Sequence, residues 1–149
     1  MAEFIYIDEQ TAPWKTAALL NDSIPCPRGL IMHRPGSGLI TLRGNLPSPC
    51  AKIARYEVEF KGNIAVPTDG TVGEIDAAIA ISGEILPSSI AAATPTVVGA
   101  YWHIGGSAVI DVMPGCCTEV TIENASVTDT PINFRNLKVR VNRRLNYGS

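Results

Sequence analysis

Apolar and polar residues alternate with a period of two along much of the chain, the spacing of strands with one buried face. In 55–61, Tyr56, Val58 and Phe60 fall on one side, and Arg55, Glu57, Glu59 and Lys61 on the other. The run 74–82 sets Ile75, Ala77, Ile79 and Ile81 against Glu74, Asp76, Ala78, Ala80 and Ser82. Its alanines tolerate a helix, but its isoleucines recur at two, not at three and four. Ala108, Ile110 and Val112 alternate through 107–113, and Val120 and Ile122 alternate with Glu119, Thr121 and Glu123. The closing run begins on Ile132 and Phe134, slips phase near Arg135-Asn136 and resumes on Leu137, Val139 and Val141. A slip of one residue predicts a β-bulge. Further strands are expected at 89–94, where a single helical turn fits equally, and at 96–103.

Turn signals separate these runs: Pro67-Thr68-Asp69-Gly70, Ser82-Gly83, Gly105-Gly106, Pro114-Gly115 and Asn124-Ala125-Ser126. Eleven prolines leave little room for long helices, since one inside a helix costs about 3 kcal/mol. Short strands at this spacing predict an all-β fold, an antiparallel β-sandwich of the jelly-roll kind. The first fifty residues read differently. They contain a hairpin, Leu30–Arg34 returning through Pro35-Gly36-Ser37-Gly38 to Leu39–Arg43, and then a hinge-like Pro47-Ser48-Pro49. The expected organisation is an N-terminal arm and hairpin over 1–50, serving as an anchor, a sandwich over 51–145 and a short tail over 146–149.

Composition narrows the function. The chain has 149 residues, 12 basic and 14 acidic side chains and a net charge of −2, which gives no general affinity for nucleic acid or an anionic membrane. No apolar run is long enough to span a bilayer. The segment Met1–Glu9 lacks the basic and long apolar regions of a signal peptide, so a cytoplasmic site of synthesis is expected. Charge is unevenly spread: no Lys or Arg occurs from Gly62 through Phe134, and Arg135, Lys138, Arg140, Arg143 and Arg144 then crowd together. Either this is a solvated strand face with a basic tail, or basic termini meet an acidic partner or another subunit. Ala78 and Ala80 lie on the outward side of their strand, where a lone sandwich keeps polar residues. Their cover is expected to come from other copies of the chain, with the N-terminal segment as the competing explanation.

No constellation for catalysis emerges. Neither type of Gly-rich phosphate loop is present, and Pro35-Gly36-Ser37-Gly38-Leu39 is not a nucleophile elbow. A catalytic pair of His33 and Ser37 has no orienting acid nearby, and a Gly-rich hairpin tip explains the pattern. The cysteines Cys26, Cys50, Cys116 and Cys117 lack metal-ligand spacing and read as small buried residues of a reduced protein, with a Cys26–Cys50 bridge as an alternative. Tyr101-Trp102-His103 offers rings that stack on a sugar, but alternation should bury at least one of them in a core or interface. No enzyme, metal or cofactor is expected.

Several segments carry a resemblance. They are Met32–Gly44, Tyr56–Pro67 with Gly70-Thr71-Val72-Gly73, Ile81–Pro87, Pro114-Gly115-Cys116-Cys117 and Asn136-Leu137-Lys138-Val139. Together they resemble a family of small proteins encoded among the head genes of tailed bacteriophages and prophages. That family is similar to trimeric jelly rolls of the tumour-necrosis-factor type, and its members resemble auxiliary head proteins. The resemblance implies a homotrimeric decoration or cement protein on the outer surface of a virion, made in the host cytoplasm, with the major capsid protein and itself as partners and no cofactor. Candidate capsid contacts are Trp14, His33, Arg34 and Arg43; candidate trimer contacts are Ala78, Ala80, Tyr101 and Trp102. The alternative is a receptor- or carbohydrate-binding tip of a phage tail or fibre.

Overall fold

The alternation around Tyr56 becomes part of a longer strand, β6 (Ala54–Ala65), on which Tyr56, Val58 and Phe60 have no accessible surface. In this computed structural model, which describes residues 2–24 and 30–144, β6 belongs to one of two antiparallel sheets. The other members of the first sheet are β1 (Ala2–Tyr6), β2 (Gln10–Ala12), β3 (Asp22–Ile24), β10 (Trp102–Val112) and β12 (Ile132–Arg144). They run in the order β10-β6-β12-β1-β3, with β2 also on β12. The second sheet runs β4 (Ile31–His33), β5 (Ile40–Arg43), β11 (Cys117–Asn124), β7 (Ile75–Ile81) and β8 (Glu84–Ile85), with β9 (Ala91–Ala93) also on β7. The chain is an all-β sandwich with jelly-roll topology.

The inward faces carry the side chains that the period-two pattern predicts. Phe4, Tyr56, Phe60, Phe134 and Val139 of the first sheet meet Ile40, Leu42, Ile79 and Ile122 of the second in one core. Each fully buried residue of this size contributes roughly 1.5–3 kcal/mol, so the facing sheets supply the main stabilising term. The predicted bulge is present. Pairing of β12 with β6 shifts register between Arg135 and Lys138, where Asn136 has φ 53° and its backbone N–H donates to Ile7 at 3.0 Å. The hairpin is also found, with Ile31 opposite Leu42 and His33 opposite Ile40. Residues 87–89 form a 3-10 turn and 91–93 a strand, so both readings of 89–94 are realised in succession.

Four expectations are corrected. The first fifty residues are not an arm set apart from the sandwich: β1 lies between β12 and β3 inside the first sheet, and β5 pairs with β11 inside the second. The Pro47–Pro49 stretch is the crossing from one sheet to the other. Gly105-Gly106 is not a turn but the middle of β10, where pairing with β6 continues unbroken from Trp102 to Val112. Residues 96–101 lie outside any strand. Finally, Ala78 and Ala80 are fully buried within the single chain, on the face shared with Glu123 and Thr121 directly across β11. Methyl groups with no accessible area offer nothing to a second chain, so these two are not trimer contacts.

Candidate interaction surface

The hairpin tip resolves the Ser–His question on geometry. His33 Nε2 stands 2.7 Å from the Ser37 carbonyl oxygen and donates to it, while Ser37 Oγ accepts from Leu39 N–H at 3.1 Å. The hydroxyl therefore has no base. The His33 ring also packs on Phe4, with centroids 4.8 Å apart, and so ties the hairpin to β1. Its role is structural, as the sequence suggested. Beside it lies an open groove of about 650 Å³ lined by Met32, Arg34, Leu39 and Thr41 among others, apolar for most of its surface.

The four candidate capsid contacts do not converge on one patch. His33 and Arg34 mark the hairpin tip, whereas Arg43 ends β5 opposite Cys117. Trp14 lies at the other end of β11, where its indole N–H donates to the Ser126 carbonyl at 2.7 Å and Lys15 Nζ sits 4.4 Å over the ring. The eight residues of β11 separate these ends by roughly 25 Å.

Of the remaining trimer candidates, Trp102 opens β10 and Tyr101 immediately precedes it. Tyr101 Oη donates to Glu9 Oε2 at 2.5 Å beneath Arg135, and its pKa is pushed up to about 12 by burial first and by the Glu9 carboxylate second. Neither ring enters the core. Trp102 is 47% exposed, and Val109 and Met113 farther along the same edge are 59% and 57% exposed. Sequence reasoning missed Val109, whose outward position was legible from the alternation but whose place at a sheet edge was not.

On the outer face of the first sheet, register brings opposite charges together. Arg55 donates to both carboxylate oxygens of Asp111, at 2.8 and 3.1 Å, and holds that carboxyl below the ordinary range. Arg144 pairs with Glu57 at 2.9 Å and Lys61 with Glu59 at 3.1 Å. Part of the basic cluster is thus matched by acids of its own chain. Such exposed pairs add little stability, but a patterned charged face selects which surface fits against it.

One acid stands apart. Asp76 is 5% exposed and its Oδ1 has no hydrogen-bond partner, although its backbone is held by Ser126 Oγ at 3.1 Å and Ala125 N–H at 2.9 Å. Burial, with Glu74 secondarily, raises its pKa. A carboxyl whose pKa rises on folding contributes stability that is complete below its unfolded pKa and is lost as pH climbs through the folded value. Asp76→Asn should therefore stabilise the protein at pH 7, with the gain shrinking toward pH 4. Paired urea titrations at the two pH values check this; an equal effect at both would exclude a charge-burial penalty.

The cysteines depart from expectation. Cys50, Cys116 and Cys117 are free and exposed, because the first sits in the sheet-crossing loop and the others at a turn and a strand start. Cys26, and with it a Cys26–Cys50 bridge, lies outside the described residues. No group of His, Cys, Asp and Glu among the described residues is placed to hold a metal ion.

No protein-family model and no curated protein matches the chain. Solved structures do. The globular domain of zebrafish complement 1qA is similar over 98% of this chain and 96% of its own, with TM-score 0.62 and 14% identity. Eiger TNF from S. frugiperda is similar over 100% and 94%, with TM-score 0.63 and 8% identity. Murine APRIL follows at TM-score 0.50 and 9% identity over 93% and 96%. At these identities the likeness establishes the fold, a jelly roll of the TNF and C1q kind.

Proposed function

We propose that this protein is structural: a homotrimer that decorates the outer surface of a tailed-phage capsid, binds the major capsid protein and stabilises the shell. The observation that carries the adhesive part is exposed Val109 on the outward face of edge strand β10, with exposed Met113 just past the strand's end, next to a patterned charged face, on a domain whose one Ser–His candidate is structural. Half-exposed Trp102 stands at the strand's other end. Large apolar side chains left exposed at a sheet edge are what an association surface provides. The TNF- and C1q-like fold supports self-association around a three-fold axis, and the resemblance of Met32–Gly44 and the other segments to auxiliary head proteins supports the capsid. Three copies multiply a modest single-site affinity for the shell through effective concentration. Because the N-terminal residues are woven into both sheets, contact with the capsid falls to surface loops such as the His33–Arg34 tip and not to a detachable arm.

The expected result is a particle three times the 15.9 kDa protomer mass by light scattering, which co-sediments with purified heads. Val109→Arg with Trp102→Glu should shift the mass to one protomer and weaken co-sedimentation at least tenfold. A wild-type chain that stays monomeric at high concentration and never sediments with heads would refute the proposal. Half-exposed Trp102 is also the residue a carbohydrate-binding tip would use; glycan binding without head binding would favour that reading instead.

A further inference from the structure

We infer that the turn bearing Cys116 and Cys117 is a latent covalent staple between copies of this chain, closed by thiol–disulfide exchange once the protein leaves a reducing compartment. The inference rests on the self-association proposed above. Free cysteines are among the most buried residue types, yet Cys50, Cys116 and Cys117 are all exposed. They also share one end of the sandwich. The Cys116 carbonyl accepts from Gly44 N–H at 2.9 Å, and Gly115 N–H donates to Asn45 at 2.7 Å, so the cysteine turn is clamped to the sheet crossing that carries Cys50. Cys117 opens β11 opposite Arg43.

The turn places two thiols where they do not satisfy one another. Neighbouring Cα atoms lie about 3.8 Å apart, below the roughly 4.4–6.8 Å that an unstrained disulfide spans. Metal binding does not account for them either, since no ligand group forms among the described residues. In a ring, every copy has two neighbours, related by the same head-to-tail contact. One thiol offered to each neighbour is the minimum that closes such a ring covalently, and adjacent exposed cysteines provide that pair.

The chemistry balances with oxidised glutathione as the oxidant. Cys116 of one copy attacks the glutathione disulfide; a protein–glutathione sulfur–sulfur bond forms and one glutathione leaves. Cys117 of a neighbouring copy attacks that mixed disulfide at the Cys116 sulfur and expels the second glutathione. Two protein thiols lose two electrons and two protons, and oxidised glutathione takes them up as two reduced molecules.

The test uses the full chain. Its mass is first measured in reductant; a monomer there sinks the trimer reading itself, before any oxidant is added. The assembled protein is then exchanged into oxidised glutathione and run on a non-reducing gel. Most of the single-chain band should move to two and three times the protomer mass and return on reduction. Cys116→Ser with Cys117→Ser should abolish the shift, and Cys50→Ser should keep it. An assembled protein that stays at single-chain mass, unmodified or carrying only glutathione, overturns the inference, as does a shift that persists in the double serine variant.

Discussion

A chain lacking residues 1–12 will fail to fold, not merely fail to attach. The deletion removes β1, which pairs with β12 through five residues, from Ala2 opposite Val141 to Tyr6 opposite Leu137, and with β3 on its other side. It also removes β2, paired with the start of β12, and the Phe4 ring on which His33 rests. Loss of the Phe4 side chain alone should cost about 3–5 kcal/mol, out of the 5–15 kcal/mol that stabilises a typical domain. Stripping β1 further bares one whole edge of β12, whose Leu137, Val139 and Val141 are fully buried in the intact protein. An unpaired apolar edge of this kind recruits other chains. The expected outcome is aggregation on expression and no cooperative thermal transition by circular dichroism. A truncated chain that melts cooperatively near the full-length temperature, and has lost only capsid binding, would restore the first strands to the role of an anchor.

That prediction reverses the reading drawn from the sequence, and the reason is physical. Where a strand buries one face for its whole length, alternation is complete and self-announcing: Tyr56, Val58 and Phe60 gave β6, and Leu137, Val139 and Val141 gave β12 together with its bulge. The strands β1 to β3 are three to five residues each, too short to repeat a period, and Phe4 and Ala2 alternate with the half-buried Glu3 and Ile5. The places of β1 and β2 are set by β12, more than a hundred residues away, and β3 in turn pairs with β1, information that no local window carries. Ala78 and Ala80 failed differently. The pattern correctly put them on the outer side of β7, but covering depends on the neighbours, and a methyl beside Glu123 and Thr121 needs no second chain. The cysteines were assigned by what cysteine usually does, and their turn and loop positions overrode that tendency. The candidate surface was the least legible part. Trp102 was singled out, but an edge strand is defined by its missing neighbour, and absence leaves no mark in a sequence.

Gly106→Val will produce the largest loss of stability among single glycine substitutions on β10, about 3 kcal/mol or more. A Cβ at Gly106 would lie 2.5 Å from the Ser89 carbonyl oxygen and 2.8 Å from Cε1 of Phe60, closer than carbon and its neighbours approach in folded proteins. Neither can yield cheaply. Phe60 is fully buried in the core. Ser89 is locked because its Oγ accepts from Ile79 N–H at 2.9 Å and donates to the Leu86 carbonyl at 2.8 Å, which fastens the Pro87–Ser89 turn to β7. Valine must therefore push the turn off β10 and break those bonds, or displace the ring; both routes open the side of the sandwich where the two sheets meet. This close approach is also why a Gly-Gly pair that looks like a turn sits in mid-strand: glycine admits another backbone where any side chain would exclude it. Gly73→Ala is the matched control, because nothing lies within 4 Å of its added Cβ, and it should change stability by no more than about 0.5 kcal/mol. Urea unfolding of both variants reads the contrast, with the valine variant melting roughly 10 °C lower in a parallel thermal scan. If Gly106→Val unfolds together with the control, the Pro87–Ser89 turn does not pack on β10, and that side of the sandwich is open.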